Sequence, residues 1–167
     1  MAKPSRELEI DQDLEFQRRE WRTQRAGWWA LAAFVLAAIL GLFGGGPISS
    51  AEAGDRSAPL WVEYERFIRV GASTRILVHA TMPPEGDLHL RLPRGYFEAF
   101  RIDRLTPEPQ TITIGDADVD LHFGRDAGPA NAFTLIFDME PLRTGRHRAS
   151  FRTSGDPAVT FPQFAYY

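Results

Sequence analysis

The sequence predicts a mainly β protein: one N-terminal transmembrane helix followed by an antiparallel, immunoglobulin-like β-sandwich. Three observations predict it. Gly27 to Gly46 is a twenty-residue, almost wholly apolar run, set in a charge-free gap between Arg25 and Glu52. Arginines crowd only the N-terminal flank of that run. Beyond Leu60 the apolar residues recur at every second position, with Pro- and Gly-bearing turns between the alternating segments. The organisation that follows is a charged cytoplasmic tail (1–26), a transmembrane helix (27–46), a linker (47–59) and a periplasmic sandwich (60–167).

The tail pairs an acidic half, Glu7 to Glu15, with a basic half, Arg18 to Arg25, and reads as a short solvated segment carrying topogenic charge. The apolar run after it spans about 30 Å as a helix, the thickness of a bilayer's hydrocarbon core. Trp28 and Trp29 open it, where indole N–H groups sit near the headgroups and anchor the interface. Arg18, Arg19, Arg22 and Arg25 precede the run, and no Lys or Arg follows until Arg56. The positive-inside rule therefore keeps residues 1–26 in the cytoplasm and places residues 47–167 outside it. Ala51-Glu52-Ala53 has the small-x-small form of a signal-peptidase site. The run is longer than a usual signal core, however, and the segment before it is long and acidic, so the anchor is read as retained. Ala33, Ala37, Gly41 and Gly45 recur every fourth residue and offer a close-packing face to another membrane helix or to a second copy.

In the exported part, "LWVEYERFIRV" sets Leu60, Val62, Tyr64, Ile68 and Val70 on one face, with Arg66 interrupting it. That interruption implies a bulge, a strand that changes sheets midway, or a buried Arg66 paired with a carboxylate. Further strands are read in "TRILVHAT", "DLHLRL", "YFEAFRIDRL", "TITI", "DVDLHF", "AFTLIFDM", "GRHRASFR" and "AVTFPQFAYY". Phe133 to Arg152 is expected as a hairpin around "EPLRTG". The closing aromatics Phe161, Phe164, Tyr166 and Tyr167 are expected to pack and complete the sandwich.

Catalytic and metal motifs do not emerge. A net charge of -3 argues against nucleic acid as a partner. The absence of cysteine removes thiolate chemistry and disulfides. "GDADVD" lacks the glycine and glutamate positions of a calcium loop, and its Asp118 and Asp120 read as a solvated strand face. His79, His89, His122 and His147 fall in four different strands and share no ligand spacing. Arg146, Arg148 and Arg152 alternate as a basic stripe. A hydrolase would need a proximate pair among Glu63, Glu65, Asp118 and Asp120.

"QRREWRTQRAGW", the glycine-ended span, "VEYERFIR" and the closing "FPQFAYY" together resemble small bacterial membrane proteins of unknown function. These are associated with YetF-type membrane proteins encoded nearby. The resemblance implies an inner-membrane accessory protein with an exported sandwich, and it brings no catalytic or ligand residue. The expected function is therefore a non-enzymatic, single-span display of an interaction module, without cofactor. Its partners are the lipid bilayer and another membrane protein or a second copy. The alternative is a tethered ligand-binding or sensing domain.

Overall fold

The alternation that begins at Leu60 belongs to two strands, not one. The computed structural model describes residues 14–40 (14–19 as backbone only), 46, 48–84, 86–125 and 133–167. The chain divides into two units, Met1–Ala38 and Ile39–Tyr167. Helix α1 (Leu14–Ile39) runs through the described part of the first. The second is a β-sandwich.

Its elements are β1 (Ser50–Ala53), β2 (Leu60–Glu65), β3 (Phe67–Arg69), β4 (Thr74–Ala80), β5 (Leu88–Pro93), α2 (Arg94–Ala99), β6 (Phe100–Thr106), β7 (Thr111–Ile114), β8 (Asp118–Phe123), β9 (Phe133–Pro141), β10 (Gly145–Thr153) and β11 (Val159–Tyr166). They form a five-stranded sheet, β1-β2-β4-β9-β6, and a six-stranded sheet, β3-β11-β10-β5-β8-β7. The inner faces supply the core. Phe123, Phe133, Phe137, Phe151 and Phe161 are fully buried there, among Leu60, Ile76, Leu88, Leu90 and Leu121. Period-two alternation makes this work, because every second residue of a strand points to the same face.

Arg66 is the pivot at which the chain leaves one sheet and joins the other. Its side chain is exposed, so the buried ion pair expected as one alternative does not form; the strand change does. The backbone around the pivot is fully engaged. Arg66 N–H donates to the Ser49 carbonyl (2.7 Å), and the Arg66 carbonyl accepts from Phe164 N–H (2.7 Å). Gln163 Nε2 donates to the Glu65 carbonyl at 2.9 Å. The Ser49 hydroxyl lies against both the N–H and the carbonyl of Phe67. Ser49 and Gln163 are buried at 0% and 1% exposure, which places two polar side chains in the interior with their partners attached.

Gln163 is held in turn by α2. Tyr96, buried on this short helix, donates its hydroxyl to Gln163 Oε1 at 2.5 Å. Burial pushes the Tyr96 phenol well above its ordinary pKa, so it serves as a neutral donor. Its ring packs on Phe100 and edge-on to Phe151, with centroids 4.7 and 6.0 Å away.

Several expectations are corrected. Phe133 to Arg152 is not a hairpin: β9 pairs with β4 and β6, whereas β10 pairs with β11 and β5. The "EPLRTG" segment therefore crosses between sheets, because alternation shows which face of a strand is apolar but not which sheet owns it. The sandwich is not purely antiparallel, since β3 and β11 run parallel. The linker 47–59 contains β1, in register with β2. Within "YFEAFRIDRL", Tyr96 to Ala99 belong to α2, and the strand starts at Phe100. Only Phe161 of the closing aromatics enters the core. Phe164 is 44% and Tyr167 91% exposed.

Removing the Tyr96 hydroxyl leaves a buried amide oxygen without its donor. Tyr96→Phe is expected to lower the unfolding free energy by about 1–3 kcal/mol, read by urea denaturation of the full chain. Ser49→Ala is expected to cost a similar amount, again about 1–3 kcal/mol, because it exposes the Phe67 backbone groups to an apolar neighbour.

Candidate functional site

From Gly27 onward, α1 presents apolar surface on all sides. From Gly27 to Ile39 α1 contains no polar residue. Trp28, Trp29, Leu31, Phe34, Val35, Leu36 and Ile39 are all exposed. Arg22 and Arg25 lie exposed on the preceding turns, with the Arg25 guanidinium over the Trp21 ring at 4.7 Å. Arg18 and Arg19 are in α1, and their side chains lie outside the described residues. Of the small-residue face, Ala33 is exposed and Ala37 half-buried; Gly41 and Gly45 lie outside the described residues. Among the described residues no helix is long and apolar enough to cross a membrane. α1 begins in the charged segment, well before Gly27, and its apolar stretch to Ile39 gives about 20 Å of the 30 Å expected for the span.

The outer face of the five-stranded sheet carries the sandwich's main aromatic and acid–base group. Register places Trp61 opposite His79 and His79 opposite Thr134. The Trp61 and His79 rings stack with centroids 3.8 Å apart, and Arg56 lies 5.3 Å from the Trp61 ring. His79 Nε2 is 3.2 Å from Glu63 Oε1, and its Nδ1 is 3.2 Å from the Thr134 hydroxyl. With Nε2 protonated, the imidazole donates to Glu63 and accepts from Thr134, so the relay fixes its tautomer. Arg56 also pairs with Glu52, and its N–H groups hold the Glu52 carboxyl below its ordinary pKa. The backbone N–H of Ser57 does the same for Asp55. An open groove of about 480 Å³ beside this group is lined by Glu52, Glu63, Glu65, Arg66 and Arg75.

Two of the histidines meet on the outer face of the other sheet. His89 and His122 are directly opposite on β5 and β8, with ring centroids 4.6 Å apart. His122 Nε2 lies 3.0 Å from Asp87, and His89 Nδ1 lies 3.3 Å from Asp120. Asp120 also takes Arg91 at 3.3 Å, while Asp118 pairs with Arg152. Sequence spacing hid this convergence, because it arises from strand register alone. His147 sits apart, 5.2 Å from the Phe100 ring. Among the described residues no three His, Asp or Glu side chains are arranged to hold a metal. Arg146, Arg148 and Arg152 share the exposed face of β10, as the stripe predicts.

The four carboxylates considered for hydrolysis do not come together. Glu63 and Glu65 project from β2 in one sheet, and Asp118 and Asp120 from β8 in the other. Both pairs are on outer faces, so the full thickness of the sandwich separates them, beyond the roughly 10 Å between sheets.

No family model matches this chain, and no curated protein does. Its fold is similar to a cohesin module from the family 33 glycoside hydrolase of Clostridium perfringens. The two share 7% identity and a TM-score of 0.44 over 71% of this chain and 97% of that one.

The lowered Glu52 and Asp55 carboxyls have a defined pH consequence. A folded-state pKa below the unfolded one stabilises fully above the unfolded value and ceases to do so as pH falls through the folded one. Glu52→Gln is therefore expected to melt slightly below the parent at neutral pH. The gap should narrow as pH falls below the ordinary carboxylate range and close once the folded-state Glu52 carboxyl is protonated, as read by calorimetry on acidification.

Proposed function

We propose that this chain is a non-enzymatic, single-span inner-membrane protein that displays its β-sandwich in the periplasm as an interaction module. Its partner is another membrane protein or a second copy. The observation that carries the reading is the second half of α1, apolar on every side and exposed from Trp28 to Ile39. A helix that docks on a protein surface keeps a polar stripe, and this stretch has none. Leaving Leu31, Phe34, Val35, Leu36 and Ile39 in water costs on the order of 10 kcal/mol, a cost that lipid removes. Arginines on the preceding turns and paired tryptophans at the start support a cytoplasmic N-terminus.

The pivot supports retention of the anchor. Cleavage after Ala53 removes β1 and takes Ser49 from the Arg66 and Phe67 backbone. The residues just past the apolar run are thus structural parts of the sandwich.

In carbonate-washed membranes the full chain is expected in the pellet. In spheroplasts a tag at Tyr167 is expected to be cut by added protease while a tag at Met1 survives. Leu36→Arg, which puts a cation at the apolar stretch at about 2.5–3.5 kcal/mol, is expected to shift protein into the soluble fraction. Recovery of the parent chain in the wash, or a protected Tyr167 tag, overturns the proposal.

A further inference from the structure

A sheet edge is a row of unpaired backbone groups, and proteins normally blunt it. Among the described residues this sandwich has four such edges, and three are blunted. At β3, the Ser49 hydroxyl takes the outward N–H and carbonyl of Phe67, and Ala72 N–H takes the Arg69 carbonyl. At β6, the register slips between Ile102 and Arg104, and Arg101, Asp103 and Arg104 line the strand. At β1, as short as β7, the strand carries the charged Glu52–Arg56 pair.

β7 has none of these devices. Thr111-Ile112-Thr113-Ile114 holds no charge, proline or bulge, and all four residues are exposed. Gly115 N–H bonds the Asp118 carbonyl, so alternation turns the backbone of Thr113 and Thr111 toward β8. The N–H and carbonyl groups of Ile112 and Ile114 therefore point away from the sheet. Their side chains share the inner face with Leu121 and Val119, which are at 0% exposure, yet Ile112 is 45% and Ile114 60% exposed. Among the described residues, the inner face at Ile112 and Ile114 is thus left largely uncovered.

The charge around this edge has one sign. From Leu105 to Gly124 the chain carries Glu108, Asp116, Asp118 and Asp120 and no Lys or Arg. Asp118 and Asp120 are paired with Arg152 and Arg91. Glu108 and Asp116, which bracket β7, make no ion pair among the described residues. Arg94 touches the Gly115 carbonyl, but its charge is matched by Glu98.

We propose that β7 is the docking edge of the module: an extended segment of a partner protein adds there as a seventh strand. Its alternate apolar side chains cover Ile112 and Ile114, and flanking lysines or arginines meet Glu108 and Asp116. This inference rests on the reading of the sandwich as an interaction module, but not on the membrane anchor. A peptide titration reads the edge alone, and membrane extraction reads the anchor alone.

The test uses the full chain in detergent micelles and a fluorescent peptide of alternating Val and Thr flanked by lysines. A twin flanked by glutamates is the control. The lysine peptide is expected to bind at least about tenfold tighter than its twin, to weaken as salt rises to roughly 0.3 M, and to slow amide exchange at Ile112 and Ile114. Ile112→Pro removes one outward N–H and leaves the bonds to β8, so it is expected to abolish binding with an unchanged melting curve. Ile114→Lys is a second variant, expected to repel the lysine peptide. Equal binding of both peptides, or binding indifferent to both variants, overturns the proposal. So does a dimer that Ile112→Pro dissolves and the peptide does not compete with, which makes a second copy the occupant.

Discussion

The whole sandwich depends on one peptide unit being satisfied while it changes sheets. A strand that crosses from one layer to the other must turn its backbone groups away from both ladders, and unpaired groups in the interior cost as much as lost hydrogen bonds. Here Ser49 supplies an acceptor and a hydroxyl, Gln163 a donor, and Phe164 an N–H, all within reach of Glu65, Arg66 and Phe67. Tyr96 then fixes Gln163. With those bonds in place a single stretch of chain stitches the five-stranded sheet to the six-stranded one. The aromatic core can then close between them.

That arrangement explains which parts of the fold were legible in the sequence. Arg66 breaks an otherwise regular apolar face, and that break made the strand change one of three readings, beside a bulge and a buried ion pair; only the register decides among them. The strands themselves were readable because Leu, Val and Phe alternate with charge in β5, β8 and β9. Pairing was not. β9 and β10 look like the two arms of a hairpin, and nothing in their alternation records that they face each other across the core. β1 reads "SAEA", with too little apolar character to announce a strand, and its place is set by β2. α2 was missed because a six-residue helix offers one turn and a half, too short for helical periodicity to show against neighbouring strands.

Site residues divide in the same way. The arginines and tryptophans at the start of the apolar run are properties of sequence order, and Arg22, Arg25, Trp28 and Trp29 are exposed on α1. The His79 relay and the His89–His122 stack are properties of register, joining residues more than fifteen positions apart. The outward aspartates of β8 were expected on a solvated face, and they are on the outer face; the arginines that match them come from β5 and β10. Several of the sandwich's charges are matched across neighbouring strands, and the uncharged, exposed β7 stands apart from them.

The pivot draws on both ends of its unit, Ser49 near the start and Gln163 and Phe164 near the finish. Synthesis is vectorial, so the earlier strands emerge with the stitch still open and the interior unsealed. Folding of this unit is therefore a terminal event, triggered when its last few residues arrive. A chain interrupted shortly before them carries nearly all of the hydrophobic core but lacks the Gln163 and Phe164 half of the bond set that locks it, which marks it for chaperones and proteases.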